Sequence, residues 1–154
     1  MPFEEIQRRL AKHQVNSLRN DIIKLFKEMI KMINDLDVPE NVKKIALQIP
    51  EKGIQAFANV PVQEFLNDRA TYMAKMQAHL GNAVIMQLSH ELREAKTESR
   101  LFEKVMSVAR TQQGKLYQMS LPLDHAVQKA RDLDGSRKKQ AQRPDKEPED
   151  GLRM

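Results

Sequence analysis

"LRNDIIKLFKEMIKMINDL", residues 18–36, is the stretch whose reading decides the fold. Leu18, Ile22, Leu25, Met29, Met32 and Leu36 step by 4, 3, 4, 3 and 4, the spacing of a heptad seam on an α-helix. Ile23, Phe26, Ile30 and Ile33 form a second apolar stripe one residue over. Together they make a face wider than a two-stranded seam needs, so this helix is expected to meet two or more neighbours. Lys24, Lys27 and Lys31 line the opposite side, but Asp21, Glu28 and Asp35 are interleaved with them. Mixed charge reads as a solvated face, and a surface for anionic membranes would leave the lysines unopposed. The stripe therefore points to protein, in this chain or in a second copy.

Working outward, Phe3, Ile6 and Leu10 begin the apolar pattern and "HQVNS" (13–17) interrupts it, so the first helix is expected over about 3–36. Pro39, Pro50 and Pro61 follow, each after a Val or Ile. Proline is best tolerated in the first helical turn and pushes the preceding residue to extended geometry. Each is expected to open a helix: 39–48, 50–59, then a long one over 62–95 that includes Met73, Met76 and Leu80. Gly81 either ends that helix or is carried through it, and "KTESR" (96–100) is a weak break. Further helices are expected at 98–119 and, opened by Pro122, at 122–134. From Gly135, "GSRKKQAQRPDKEPEDGLRM" has almost no apolar residue, and 135–154 is expected to be a disordered charged tail.

The fold class expected is thus all-α: an elongated antiparallel helical bundle with coiled-coil-like packing over residues 1–134. Helices 3–36 and 62–95 match in length, about 51 Å each, and are expected to pair. A rod this thin leaves apolar surface to cover, so a homo-oligomer, dimer or higher, is expected. Leu18, Ile22, Leu25, Phe26, Met29, Ile30, Met32, Ile33 and Leu36, with Met73, Met76 and Leu80, are the candidate interface residues.

Composition narrows the chemistry. The 154 residues include no Cys, which rules out disulfides, thiol catalysis and Cys-ligated zinc. His13, His79, His90 and His125 are scattered, with no pair at i, i+4, so no metal site is expected. No phosphate-cradling loop, dinucleotide fingerprint or nucleophile elbow occurs. The expectation is a non-enzymatic protein without cofactor. It would act on an unidentified protein partner and on itself, in the cytoplasm or nucleus, with no signal peptide, transmembrane segment or membrane partner. Net charge is +5, from 26 basic and 21 acidic residues. It is spread evenly along the chain, which argues against a dedicated cationic arm. The alternative partner is nucleic acid, contacted by Arg8, Arg9 and Lys12 near the start and by Arg131, Arg137, Lys138, Lys139 and Arg143 near the end.

Overall fold

A computed structural model describes the backbone of residues 2–146 and the side chains of residues 2–135. Every regular element among them is a helix: α1 (Pro2–Asn34), α2 (Glu40–Ala58), α3 (Val62–Asn67), α4 (Arg69–Leu80), α5 (Asn82–Glu94) and α6 (Ser99–Lys146). The all-α expectation holds. Several boundaries move, each for a local reason.

α1 runs straight through "HQVNS". The core-facing residues Ala11, Val15 and Ile22, with Leu18 packed against the same cluster, keep helical spacing across it, so the polar interruption lies on the other face. Pro50 does not open a helix; it sits inside α2, buried on the line Val42, Ala46, Pro50, Gly53 and Phe57. Proline in a helix interior costs about 3 kcal/mol. Burying a single large apolar side chain stabilises by about 1.5–3 kcal/mol, so continuous packing of this face outweighs the break. Pro122 likewise lies within α6, where it is exposed. The carbonyl it leaves without a partner, that of Gln118, sits on an exposed turn within reach of water. Helices 98–119 and 122–134 are therefore one.

The expected 62–95 helix is three. Asp68 ends α3 and caps α4, accepting from the Thr71 backbone N–H (3.1 Å) and hydroxyl (2.6 Å). These bonds, the side-chain one foremost, hold its carboxyl below the usual range. Gly81, in extended geometry, separates α4 from α5. At "KTESR" the break is real. Lys96 takes a left-handed φ of 56°, with Thr97 N–H bonded to Leu92 O (3.0 Å) and Lys96 N–H to Arg93 O (2.9 Å). That is a Schellman stop, unusual in having Lys at the left-handed position.

The partner of α1 also differs from expectation. α1 packs chiefly on α6 and secondly on α2, and meets the 62–95 segment only in a minor way, at α3 and through the shared clusters. The pairing with α6 is antiparallel. Arg8 and Lys12 lie beside Asp134 (4.0 and 3.8 Å), while Glu28 reaches Lys115 (3.6 Å). Helical backbone in α6 continues past Gly135 to Lys146, into the segment expected to be disordered. That stretch is rich in Arg, Lys, Gln and Ala, good helix formers extending an anchored helix. The rest of that expected tail, 147–154, lies outside the described residues.

Two apolar clusters fill the interior. One, around Ile22, Phe26, Phe57, Phe65, Tyr72 and Leu80, joins α1, α2, α3, α4 and α6. The other, around Met29, Ile33, Val42, Leu88, Leu92 and Met106, joins α1, α2, α5 and α6. An aromatic series Phe26–Phe57–Phe65–Tyr72, with centroids 6.3, 6.1 and 5.5 Å apart, threads the first. The ring of Phe26 lies directly against Gly53, and a Cβ there would collide with it.

Two of the helical glycines, at 53 and 114, should respond oppositely to alanine. Gly53→Ala forces the Phe26 ring off its stack and should lose about 1–3 kcal/mol despite its better helix propensity. Gly114 has open space around it, so Gly114→Ala should gain about 1 kcal/mol. Urea unfolding of both variants checks this; equal shifts of the same sign would contradict the packing.

Candidate functional site

The residues expected to form a partner seam are largely consumed inside the chain. Ile22, Phe26, Met29, Ile33, Met76 and Leu80 are fully or almost fully buried in the clusters. Leu18, Leu25 and Met73 pack partly buried against the first cluster and Leu36 against the second. Ile30 and Met32 remain half-buried. The wide face that suggested a second chain is wide because α1 is covered by both α6 and α2.

A polar group divides the clusters. Gln112 on α6 is fully buried between Ala109 and Leu116 and donates to the Leu25 carbonyl (3.1 Å) and to Glu28 Oε1 (2.8 Å). Its own side-chain oxygen has no partner. A buried amide whose N–H groups find acceptors in one register only disfavours sliding of α6 along α1.

The candidate nucleic-acid cations near the start are engaged in holding the bundle. Arg8 is buried and paired with Glu5, beside Asp134. Lys12 also faces Asp134, and Arg9 pairs with Glu5 at 3.8 Å. Arg131 donates to the Leu66 carbonyl (2.6 Å) and the Phe65 carbonyl (3.4 Å), closing the end of α3. Arg137, Lys138, Lys139 and Arg143 lie outside the residues whose side chains are described.

What the surface does present is a set of large apolar side chains. Phe3 (69% exposed), Ile6 (51%) and Leu10 (63%) form a stripe at i, i+3 and i+7 on the first turns of α1. It faces away from the core, which is met instead by Arg8, Ala11 and Val15. The sequence carried a signal for this. The apolar phase shifts between Leu10 and Ala11, so the early stripe and the later one occupy different faces. On α6, Tyr117 and Leu121, both more than half exposed, overhang a cleft against α4. Met73, Met76 and Leu80 line it, and its volume is about 220 Å³. These two residues were not anticipated; an i, i+4 pair of large apolar residues off the main face of a helix was the available clue. At the cleft's edge Asp124 Oδ1 is buried without a hydrogen-bond partner, as is the Tyr72 hydroxyl. Burial, then the nearby Asp124 charge, push the Tyr72 pKa up.

A smaller cavity of about 170 Å³ lies between α2, α4 and α5, walled by Ile45, Ile49, Val84 and Leu88 and rimmed by Lys52, His79 and Glu91. His79 rests edge-on against Phe57, with centroids 6.2 Å apart. Burial, and then Lys75 and Lys52, lower its pKa. Among the described residues no group of three or more His, Asp or Glu could hold a metal ion. No helix among them is long and apolar enough to cross a membrane.

Comparison with protein-family models, with curated proteins and with solved structures finds no match to this chain.

His79 gives a pH-dependent stability. The fold favours its neutral form. Above its ordinary pKa of 6.5 both folded and unfolded chains hold it neutral and nothing is lost. As pH falls through that value the unfolded chain takes the proton first, so stability declines until folded His79 also titrates. His79→Gln should flatten the decline that sets in as pH falls below about 6.5. Urea midpoints measured across that range check it, and parallel slopes for both proteins would contradict it.

Proposed function

We propose that this chain is a non-enzymatic helical interaction protein, an adaptor or assembly factor that works through protein–protein contacts and associates with its own copies. The observation that carries the reading is the exposed stripe Phe3, Ile6 and Leu10. A row of three large apolar residues at helical spacing, pointing away from a core that other residues fill, is surface suited to a partner. Its strength is bounded. Fully covering each residue contributes about 1.5–3 kcal/mol, against roughly 4–15 kcal/mol for immobilising two bodies. The stripe alone therefore supports at most weak association, about 5 kcal/mol or a Kd on the order of 0.2 mM, and reaches the micromolar range only with a counterpart that buries apolar surface of its own.

The nucleic-acid alternative has less support. Arg8, Lys12 and Arg131 satisfy acidic or carbonyl groups of the same chain, and pulling them to phosphates would leave Asp134 and the end of α3 without partners.

Light scattering coupled to gel filtration tests the proposal. The wild-type chain should show a mass that rises with concentration through the micromolar range. Phe3→Ser, Ile6→Ser and Leu10→Ser combined should hold it at the monomer mass, and at concentrations too low for association its melting temperature should equal that of wild type, because none of the three is in the core. A wild-type monomer throughout, or a triple variant that associates as well as wild type, would overturn it.

A further inference from the structure

Six large apolar side chains among the described residues are more than half exposed, and five of them belong to two features, the α1 stripe and the α4/α6 cleft. The two features match. Phe3 to Leu10 spans seven residues of helix, about 10 Å. Tyr117 to Asp124, the length of the cleft along α6, spans seven as well. The cleft is apolar along Met73, Met76, Tyr117 and Leu121 and ends at Asp124, whose Oδ1 is buried with no donor. Arg9 borders the stripe beside Ile6 and Leu10, with its side chain 79% exposed. Asp124 lines the cleft and is only half-buried, so its carboxylate is the acidic group an incoming guanidinium would meet there.

We propose that the α4/α6 cleft receives the Phe3–Leu10 segment of a second copy of this chain, with that copy's Arg9 donating to Asp124. The inference rests on the self-association reading and names its counterpart surface. The charges fix the direction: Leu10 lies toward Asp124 and Phe3 toward Tyr117, so the incoming helix runs parallel to α6. The occupant cannot be the chain's own stripe. α1 runs antiparallel to α6 with Arg8 level with Asp134, and both features sit on continuous helices, so stripe and cleft of one molecule stay apart. Where a two-fold axis relates the copies, each stripe fills the other's cleft and the assembly closes; otherwise it extends head to tail.

Two variants and their mixture test this. The stripe variant carries Phe3→Ser, Ile6→Ser and Leu10→Ser; the cleft variant carries Tyr117→Ser and Leu121→Ser, both at exposed positions. Each alone should run as a monomer by light scattering. Mixed in equal amounts, they should recover a complex of one copy of each, because one intact stripe and one intact cleft remain. In the otherwise wild-type chain Arg9→Glu should weaken association at least tenfold. If the wild-type chain is monomeric, the self-association reading fails and this pairing with it. If the wild-type chain assembles and the cleft variant does too, the reading stands and the pairing is overturned. A mixture that stays monomeric also overturns it. Should the cleft variant lose helical circular dichroism, cysteine pairing replaces it, since the chain has no cysteine of its own. Leu10→Cys and Leu121→Cys chains mixed and oxidised should form the mixed disulfide well in excess of either homodimer. A statistical distribution would contradict the pairing.

Discussion

The antiparallel contact between α1 and α6 is the constraint on which the rest depends. It is pinned at one end by Asp134 between Arg8 and Lys12. In the middle, Gln112 binds the Leu25 carbonyl and Glu28. The surface ion pairs contribute little individually. A buried amide contributes less to stability than to uniqueness, because a slipped register would leave it without partners in an apolar interior. With α1 and α6 fixed, α2 closes over the remaining flank of α1, and the Phe26 ring against Gly53 sets how closely it approaches. α3 to α5 then bridge between α2 and α6 in short pieces.

How much of this was legible follows from which signals are local. Helix content and the positions of the inward residues on 18–36 follow from apolar periodicity, and the structure buries them on that spacing. Helix starts at Pro39 and Pro61 follow from proline's fixed φ, and both residues immediately precede a helix. Pro50 and Pro122 break the same rule for reasons that periodicity does not contain. One is carried by the packing of its whole face, the other by solvent beside the freed carbonyl. Asp68 was readable in principle as an N-cap three residues before Thr71, but it stood inside a strong helical pattern that masked it. Pairing was the part least available, because whether α1 meets 62–95 or 99–134 depends on long-range complementarity that no single segment displays.

The candidate surface shows the same division. The stripe at 18–36 was recognisable as a contact face, but its partner was not, and α6 and α2 of the same chain cover it. Phe3, Ile6 and Leu10 looked like the start of one continuous face until the phase shift at Ala11 is taken into account. Arg8 and Arg131 looked like phosphate ligands because sequence shows a cation and not its neighbour. Their partners, Asp134 and the Leu66 carbonyl, are more than sixty residues distant. The chain's own core absorbs its widest apolar face, and a second, smaller one, Phe3, Ile6 and Leu10, stays exposed.

The proposed ordering, core first and contact afterwards, can be tested residue by residue by amide hydrogen exchange at a low and a high protein concentration. Amides of 18–33 should be equally protected in both samples, since their partners lie within the chain, whereas amides of 3–12 should gain protection only in the concentrated one. Protection of 18–33 that appears only on association would show that the α1 seam is completed by another copy, and would contradict the fold-then-assemble account.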